Sequence, residues 1–160
     1  MKTAADILTG AQQQVWTIAP TATVYEALAL MNDKDIGALP VVDKEKKLVG
    51  ILSERDYARK VVLLGKTSRQ TTVEVIMTPA SRVVTIPPTA TLEACMSLMT
   101  AHHVRHLPVL SGEKLVGMIS SRDVIGALIA EKNGFIDRLQ EASDTVFAHS
   151  FDDHIAGGKG

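Results

Sequence analysis

Residues 15–31 read VWTIAPTATVYEALALM, and residues 83–99 read VVTIPPTATLEACMSLM. Val83 stands 68 residues after Val15. At that spacing Thr17, Ile18, Pro20, Thr21, Ala22, Thr23, Leu30 and Met31 recur as Thr85, Ile86, Pro88, Thr89, Ala90, Thr91, Leu98 and Met99. Leu39-Pro40-Val41 returns as Leu107-Pro108-Val109. Leu48-Val49-Gly50 then returns as Leu115-Val116-Gly117, with the spacing reduced to 67. The missing residue falls in the polar stretch between Asp43 and Lys47, and length changes of this kind are tolerated in exposed turns. Ser53, Arg55 and Asp56 recur as Ser120, Arg122 and Asp123. The chain is therefore a tandem repeat, with units at about residues 15–64 and 83–130.

Each unit reads as strand, helix, strand, strand, helix. Val15–Ile18 is a β-branched and aromatic run closed by Pro20, which predicts a strand end. Thr23 and Glu26 have capping-box spacing, so a helix starts there. Val24, Ala27, Leu28 and Met31 give it one apolar face, repeated by Leu92, Cys95, Met96 and Met99. Residues 38–42 and 48–53 read as a hairpin of buried strands. A second helix is predicted from Glu54 to about Leu64, and its counterpart from Ser121 to about Glu131. The fold class is α/β (α+β): two β-α-β-β-α repeats packed with pseudo-two-fold symmetry, because one unit alone cannot cover its own sheet and helices. The divisions are an N-terminal segment 1–14, repeat one at 15–72, repeat two at 73–133 and a C-terminal tail 134–160. Short helical turns are expected near Ala5–Leu8, Val73–Met77 and Phe135–Leu139, with the final IAGGKG disordered. Tyr57, Val61, Leu64, Val124 and Leu128 exceed one inward stripe, which predicts a homodimer through these helices.

Bulk composition narrows the function. Among 160 residues, 46% are hydrophobic and 22% charged, enough for a core, and the net charge is -1. No basic excess or stripe marks a nucleic-acid partner. No apolar run reaches bilayer-spanning length, and residues 1–10 lack the apolar centre of a signal peptide, so the expectation is a cytoplasmic protein without a membrane partner. The single cysteine, Cys95, lies on the apolar helix face and reads as a small core residue.

The segments GILSERD (50–56) and GMISSRD (117–123) each join a buried strand to a helix. A helix N-terminus carries unpaired N–H groups and partial positive charge, which suit phosphate or hydroxyl ligands. The Ser hydroxyl can donate to a ligand oxygen, the Asp carboxylate can accept from ribose hydroxyls, and Arg can neutralise phosphate. Ser followed by Asp three residues later is also a variant capping box. A cap requires no arginine, yet both copies keep Arg beside Asp, which turns the reading toward binding.

These motifs together resemble the CBS-domain family, the regulatory repeats of the cystathionine-β-synthase type. The family pattern is a hydrophobic-x-Thr stretch, a small-hydrophobic-Pro-Val strand, and Gly-hydrophobic-x-Ser/Thr-x-x-Asp. Here those elements are VWTIAP, GALPVVD and GILSERD, then VVTIPP, RHLPVL and GMISSRD. The resemblance implies a Bateman-type module with two clefts for adenosine compounds: AMP, ADP, ATP, NAD or S-adenosylmethionine. It implies ribose contacts from Asp56 and Asp123. Ser53, Ser120, Arg55 and Arg122 would approach ribose or phosphate. Thr17 and Thr85 would each serve the cleft whose Asp lies on the other repeat. Backbone at Ile36, Gly37 and Ala38 and at Val104, Arg105 and His106 would meet the adenine edge, and Leu107 and Pro108 would join the nucleotide-binding set. Because Arg105 and His106 replace Gly37 and Ala38, the clefts are expected to be unequal, with the Asp123 cleft favouring phosphate-bearing nucleotides.

His102, His103 and His106 raise a metal reading, but they lack the intervening Glu of a helical zinc motif and a cysteine nearby. No nucleophile–base pair or Gly-Lys phosphate loop points to an enzyme. The function expected is a non-catalytic regulatory module that senses adenosine nucleotides and signals to an unknown protein effector. The alternatives are a ligand-free assembly module and an enzyme acting on an adenine nucleotide.

Overall fold

The computed structural model describes residues 1–10 and 14–156. The elements run α1 (Ala4–Gly10), α2 (Val24–Lys34), β1 (Ala38–Val42), β2 (Leu48–Ser53), α3 (Glu54–Tyr57, continued by a π-helical turn over Ala58–Val62), α4 (Val73–Ile76) and β3 (Thr78–Pro79). They continue as a 3-10 turn (Ala80–Arg82), α5 (Leu92–His102), β4 (His106–Ser111), β5 (Lys114–Ser120) and α6 (Ser121–Ala156). Met1–Val124 form one compact unit, and the part of α6 from Ile125 onward belongs to a second.

The repeat is visible bond by bond. Strands β1 and β2 pair antiparallel with Leu39 opposite Leu52 and Val41 opposite Gly50. Strands β4 and β5 do the same with Leu107 opposite Ile119 and Val109 opposite Gly117. Both hairpins have a register shift one position further on, after Val41 and after Val109. The side chains of Leu39, Val41, Leu52, Leu107, Val109 and Ile119 are at most 1% exposed, so both hairpins are core. Helix α2 starts at the expected capping box: the Glu26 N–H donates to Thr23 Oγ1 at 3.1 Å, and the Thr23 N–H donates to Glu26 Oε2 at 2.9 Å. Its buried face is Val24, Ala27 and Met31, and that of α5 is Leu92, Cys95 and Met99. Cys95 is a core residue, as its position on the helix face required, and burial raises its thiol pKa.

Three expectations are corrected. Val15–Ile18 forms no strand. Only Ile18 bridges β1, through its N–H to the Pro40 carbonyl and its carbonyl from the Val42 N–H. The next bond toward Val15 would need an N–H from Pro40 to the Trp16 carbonyl, and proline has none, so the ladder stops at one bridge. Secondly, Val61 and Val124 are buried, at 1% and 0% exposure, and cannot form a dimer face. The wider π-helical turn after α3 changes which residues point inward: it leaves Val62 and Leu63 exposed in place of Val61, while Leu64 is exposed as expected. Thirdly, the last helix does not stop near Glu131 but runs to Ala156. It carries Ile155 and Ala156 of the segment expected to be disordered, whereas residues 157–160 lie outside the described residues.

The short helices that precede each repeat pack on the opposite repeat. From α1, the Ala4 and Ala5 N–H groups donate to the Ala90 and Pro88 carbonyls of repeat two, and Thr3 bridges Thr91. From α4, the Val73 and Glu74 N–H groups donate to the Ala22 and Pro20 carbonyls of repeat one, and Thr72 bridges Thr23. Strand β3 then adds a third strand beside β2. Each crossing segment passes over a glycine. A Cβ on Gly50 would stand 2.6 Å from the Thr78 carbonyl oxygen and from Met77 Sδ, and one on Gly117 would stand 2.5 Å from Leu8 Cδ2.

Candidate functional site

Both GxxSxxD segments place Ser at a strand end and Asp in the first turn of the following helix. Ser53 and Ser120 are extended N-terminal caps, and the Asp three residues on closes a reciprocal box. In repeat two, the Ser120 N–H and Oγ each lie 2.8 Å from Asp123 Oδ2, and the Asp123 N–H donates back to Ser120 Oγ at 3.2 Å. In repeat one, the corresponding distances are 3.0, 3.2 and 3.3 Å. Capping and binding are therefore compatible uses of one carboxylate: the cap occupies Oδ2 and leaves Oδ1.

The two Oδ1 atoms have different surroundings. Asp56 Oδ1 is 3.0 Å from Lys60 Nζ, and that ammonium also donates to the Ile76 carbonyl at 2.8 Å. Repeat two has Ala127 at the place of Lys60, and no described residue engages Asp123 Oδ1. Asp123 thus keeps an acceptor for a ligand hydroxyl, and Asp56 must exchange an ion pair for one.

Two clefts flank these carboxylates. The Asp123 cleft has a volume of about 640 Å³ and the Asp56 cleft about 470 Å³, both in the range of small-molecule sites. Val15 and Trp16 of repeat one line the Asp123 cleft, and Val83 and Val84 of repeat two line the Asp56 cleft. Each cleft therefore combines the Asp of one repeat with the pre-helix segment of the other. Thr17 and Thr85 belong to those segments without lining either cleft. Leu107 is fully buried in the core, and neither it nor Pro108 lines a cleft.

Arg105 and His106 line both clefts, as do Gly37, Ala38 and Glu54. This removes the reason for assigning Arg105 and His106 to the Asp123 cleft alone: the strand entry lies between the two spaces. It is held there by the Ser121 N–H to the Arg105 carbonyl at 2.8 Å, and its counterpart by the Glu54 N–H to the Gly37 carbonyl at 3.1 Å. A Cβ on Gly37 would meet Glu54 Oε2 at 3.6 Å and His106 Cε1 at 3.7 Å, which is ordinary contact. Burial lowers the pKa of the His106 imidazole. Arg105 adds to that shift and Asp123 opposes it.

Of the remaining predicted residues, Ile36, Ser120, Arg122 and Asp123 line the larger cleft, and Ser53, Arg55, Asp56 and Val104 the smaller. Arg55 donates from Nη1 to the His103 carbonyl at 3.4 Å and so spans the two repeats.

Sequence reasoning missed several lining groups. Lys60 was legible as an (i,i+4) partner of Asp56. Arg59 and Arg82 carried no such signal. Trp16 was read only as a strand residue, yet it lines the Asp123 cleft with Lys34 Nζ 4.3 Å from its ring centroid. In charge, the Asp56 cleft has Arg55, Arg59, Lys60, Arg82 and Arg105 against Glu54 and Asp56. The Asp123 cleft has Arg105 and Arg122 against Asp35, Glu54 and Asp123. No cluster of three metal-ligating side chains exists among the described residues, and none of their helices is long and apolar enough to cross a membrane.

A family model described as the CBS domain matches residues 4–63 and again residues 73–130. The chain belongs to the CBS-domain family. It is a tandem CBS module, and its fold agrees with solved members. A protein with CBS domains from Burkholderia ambifaria MC40-6 is 45% identical, covering 81% of this chain and 95% of that one, with a TM-score of 0.75. CBSX2, solved in complex with AMP, is 26% identical over 82% of this chain and 99% of that one, with a TM-score of 0.69. Among curated relatives, the mitochondrial CBS domain-containing protein CBSX3 of Arabidopsis thaliana is 38% identical over 119 residues, 73% of this chain. The chain spans 58% of that relative's length.

Proposed function

We propose that this tandem CBS module is a non-catalytic sensor of adenosine nucleotides, with the Asp123 cleft as its principal adenosine site. The observation that carries the reading is the unengaged Asp123 Oδ1, held by the Ser120 cap at the edge of the 640 Å³ cleft. Trp16 supplies an aromatic surface for a base, and Arg105 and Arg122 supply counter-charge for a phosphate. The AMP-bound CBSX2 structure supports the same ligand class. Among the described residues the Asp56 cleft is lined by no Phe, Tyr or Trp, only by the imidazoles of His103 and His106, and it has more cations than acids, which suits the longer phosphate chain of ADP, ATP or NAD.

Both clefts lie between repeats, so a ligand that prefers one arrangement of the repeats shifts the module by its differential affinity. A protein effector would read that shift. Assembly as a homodimer belongs to the same reading and is supported by the exposed Val62, Leu63 and Leu64. A cytoplasmic setting belongs to the same proposal.

Trp16 is the only tryptophan, so its emission reports on the Asp123 cleft directly. Titration with AMP should change that emission saturably, and Asp123→Asn should shift the curve to higher concentration. No change with AMP, ADP, ATP or NAD, together with no heat in calorimetry, would overturn the proposal.

A further inference from the structure

The second unit contains a single described element, the α6 helix from Ile125 onward, and that element is unusually apolar outside. Ile125, Ile129, Phe135, Ile136 and Leu139 are 45–55% exposed. A lone helix with such a stripe draws little stability from itself and gains it by packing. The stripe is ordered: Ile125, Leu128, Lys132, Phe135, Leu139 and Ala142 alternate in steps of three and four, the spacing of a coiled-coil seam. Glu131 and Arg138 flank one side of the seam, and Ile129 and Ile136 flank the other.

We infer that residues 125–142 pair antiparallel with the same segment of a second copy of this chain. The sequence complements itself only in that direction. Antiparallel seam layers place Ile125 opposite Ala142, Leu128 opposite Leu139, and Lys132 opposite Phe135, where the ammonium can lie against the ring. Glu131 then meets Arg138 of the second copy on one flank, and Ile129 meets Ile136 on the other. The two-fold axis repeats every one of these contacts. A parallel pair would instead set Lys132 against Lys132 inside the seam and Glu131 against the apolar Ile136. This pairing gives the homodimer of the proposed function an interface and is independent of nucleotide binding.

The test uses the full chain with two cysteine variants, Leu128→Cys and Leu139→Cys, one of them tagged. Cys95 is buried and stays out of reach of oxidant. Antiparallel pairing predicts a disulfide-linked species when the two variants are co-expressed, and little from either alone. Links within each variant alone would show a parallel pair, and no links in any sample would show a different occupant of the stripe. Either result overturns the inference.

Charge reversal supplies the second arm, with helicity checked by circular dichroism. Glu131→Arg or Arg138→Glu should each weaken dimerisation roughly tenfold in sedimentation equilibrium, since each symmetric contact changes from attraction to repulsion. The double variant should return to within about threefold of the original. A dimer indifferent to both single reversals also overturns the pairing. Nucleotide binding measured on the same samples separates a failure here from a failure of the sensor reading.

Discussion

Replacing Gly50 by alanine tests the crossing of the linker over repeat one. The added Cβ would stand 2.6 Å from the Thr78 carbonyl oxygen and 2.6 Å from Met77 Sδ. Ordinary contact begins near ~3.5 Å, so about 1 Å must be recovered by movement. Met77 Sδ can swing aside, but the carbonyl belongs to β3, which is paired to β2 at Gly50–Pro79 and Ile51–Thr78. Relief therefore requires β3 to separate from β2. Overpacking of this kind costs about 1–3 kcal/mol, which for a chain of this size lowers Tm by roughly 3–10 °C. Gly117→Ala is the matched control. The three atoms nearest its Cβ are the Cδ and Cγ atoms of Leu8, a side chain able to turn away. Differential scanning calorimetry should show a smaller loss for Gly117→Ala, and Leu8→Ala should remove that variant's added strain, whereas Met77→Ala should leave most of the Gly50→Ala penalty in place. Equal penalties for the two glycines, or full rescue of Gly50→Ala by Met77→Ala, would refute the crossing geometry.

Three further outcomes follow from the clefts. Asp123→Asn should weaken AMP binding about 10- to 100-fold by calorimetry, the loss expected for a hydrogen bond to a charged acceptor, and Asp56→Asn only a few-fold. Lys60→Met should weaken ATP more than AMP and flatten the salt dependence of ATP binding. It should cost only about 0.5–1.5 kcal/mol of stability, because the lost bond to the Ile76 carbonyl dominates and the half-exposed ion pair to Asp56 adds little. His106 sets a pH response. Its folded pKa lies below its ordinary value of about 6.5, so the unfolded chain binds the proton first as pH falls. Its contribution to stability is thus full above about pH 6.5 and is lost as pH falls toward the lowered folded value. The folded imidazole protonates at that lower pH and adds positive charge to both clefts, which offsets the charge the AMP phosphate loses as it is itself protonated, so His106→Gln should flatten the stability profile and make AMP binding fall off more steeply in acid.

Much of this molecule was legible because its repeat gives each motif twice. The capping box at Thr23, the hairpin cores and the burial of Cys95 follow from local pattern, and local pattern is what sequence shows. The crossing of each pre-helix segment into the opposite cleft was legible only through family resemblance. The strand expected at Val15–Ile18 shrank to a single bridge because Pro40 on the partner strand has no N–H to extend the ladder, a limit the β-branched run conceals. The inward face after Tyr57 was misread because a π-helical turn breaks the 3.6-residue period on which the stripe rested. Arg105 and His106 were assigned to one cleft because sequence places them in one repeat, but the strand entry they occupy borders both spaces. Trp16 and Arg82 act through tertiary placement, for which neighbouring residues offer no cue.

The helices that dock across the repeats also bear on how such a chain can arise and be cut. Each repeat is completed by a short helix that precedes the other one in sequence, so a cut between them leaves both halves missing a piece. A polypeptide encoding one repeat and its leading helix could make every one of these contacts only by lending that helix to a sister molecule and borrowing one back. Fusing two such molecules end to end converts the loan into an intramolecular bond without redesigning a contact. The present chain has the form of that fused pair, and co-expressed halves split at residue 65 should reassemble where either half alone does not fold.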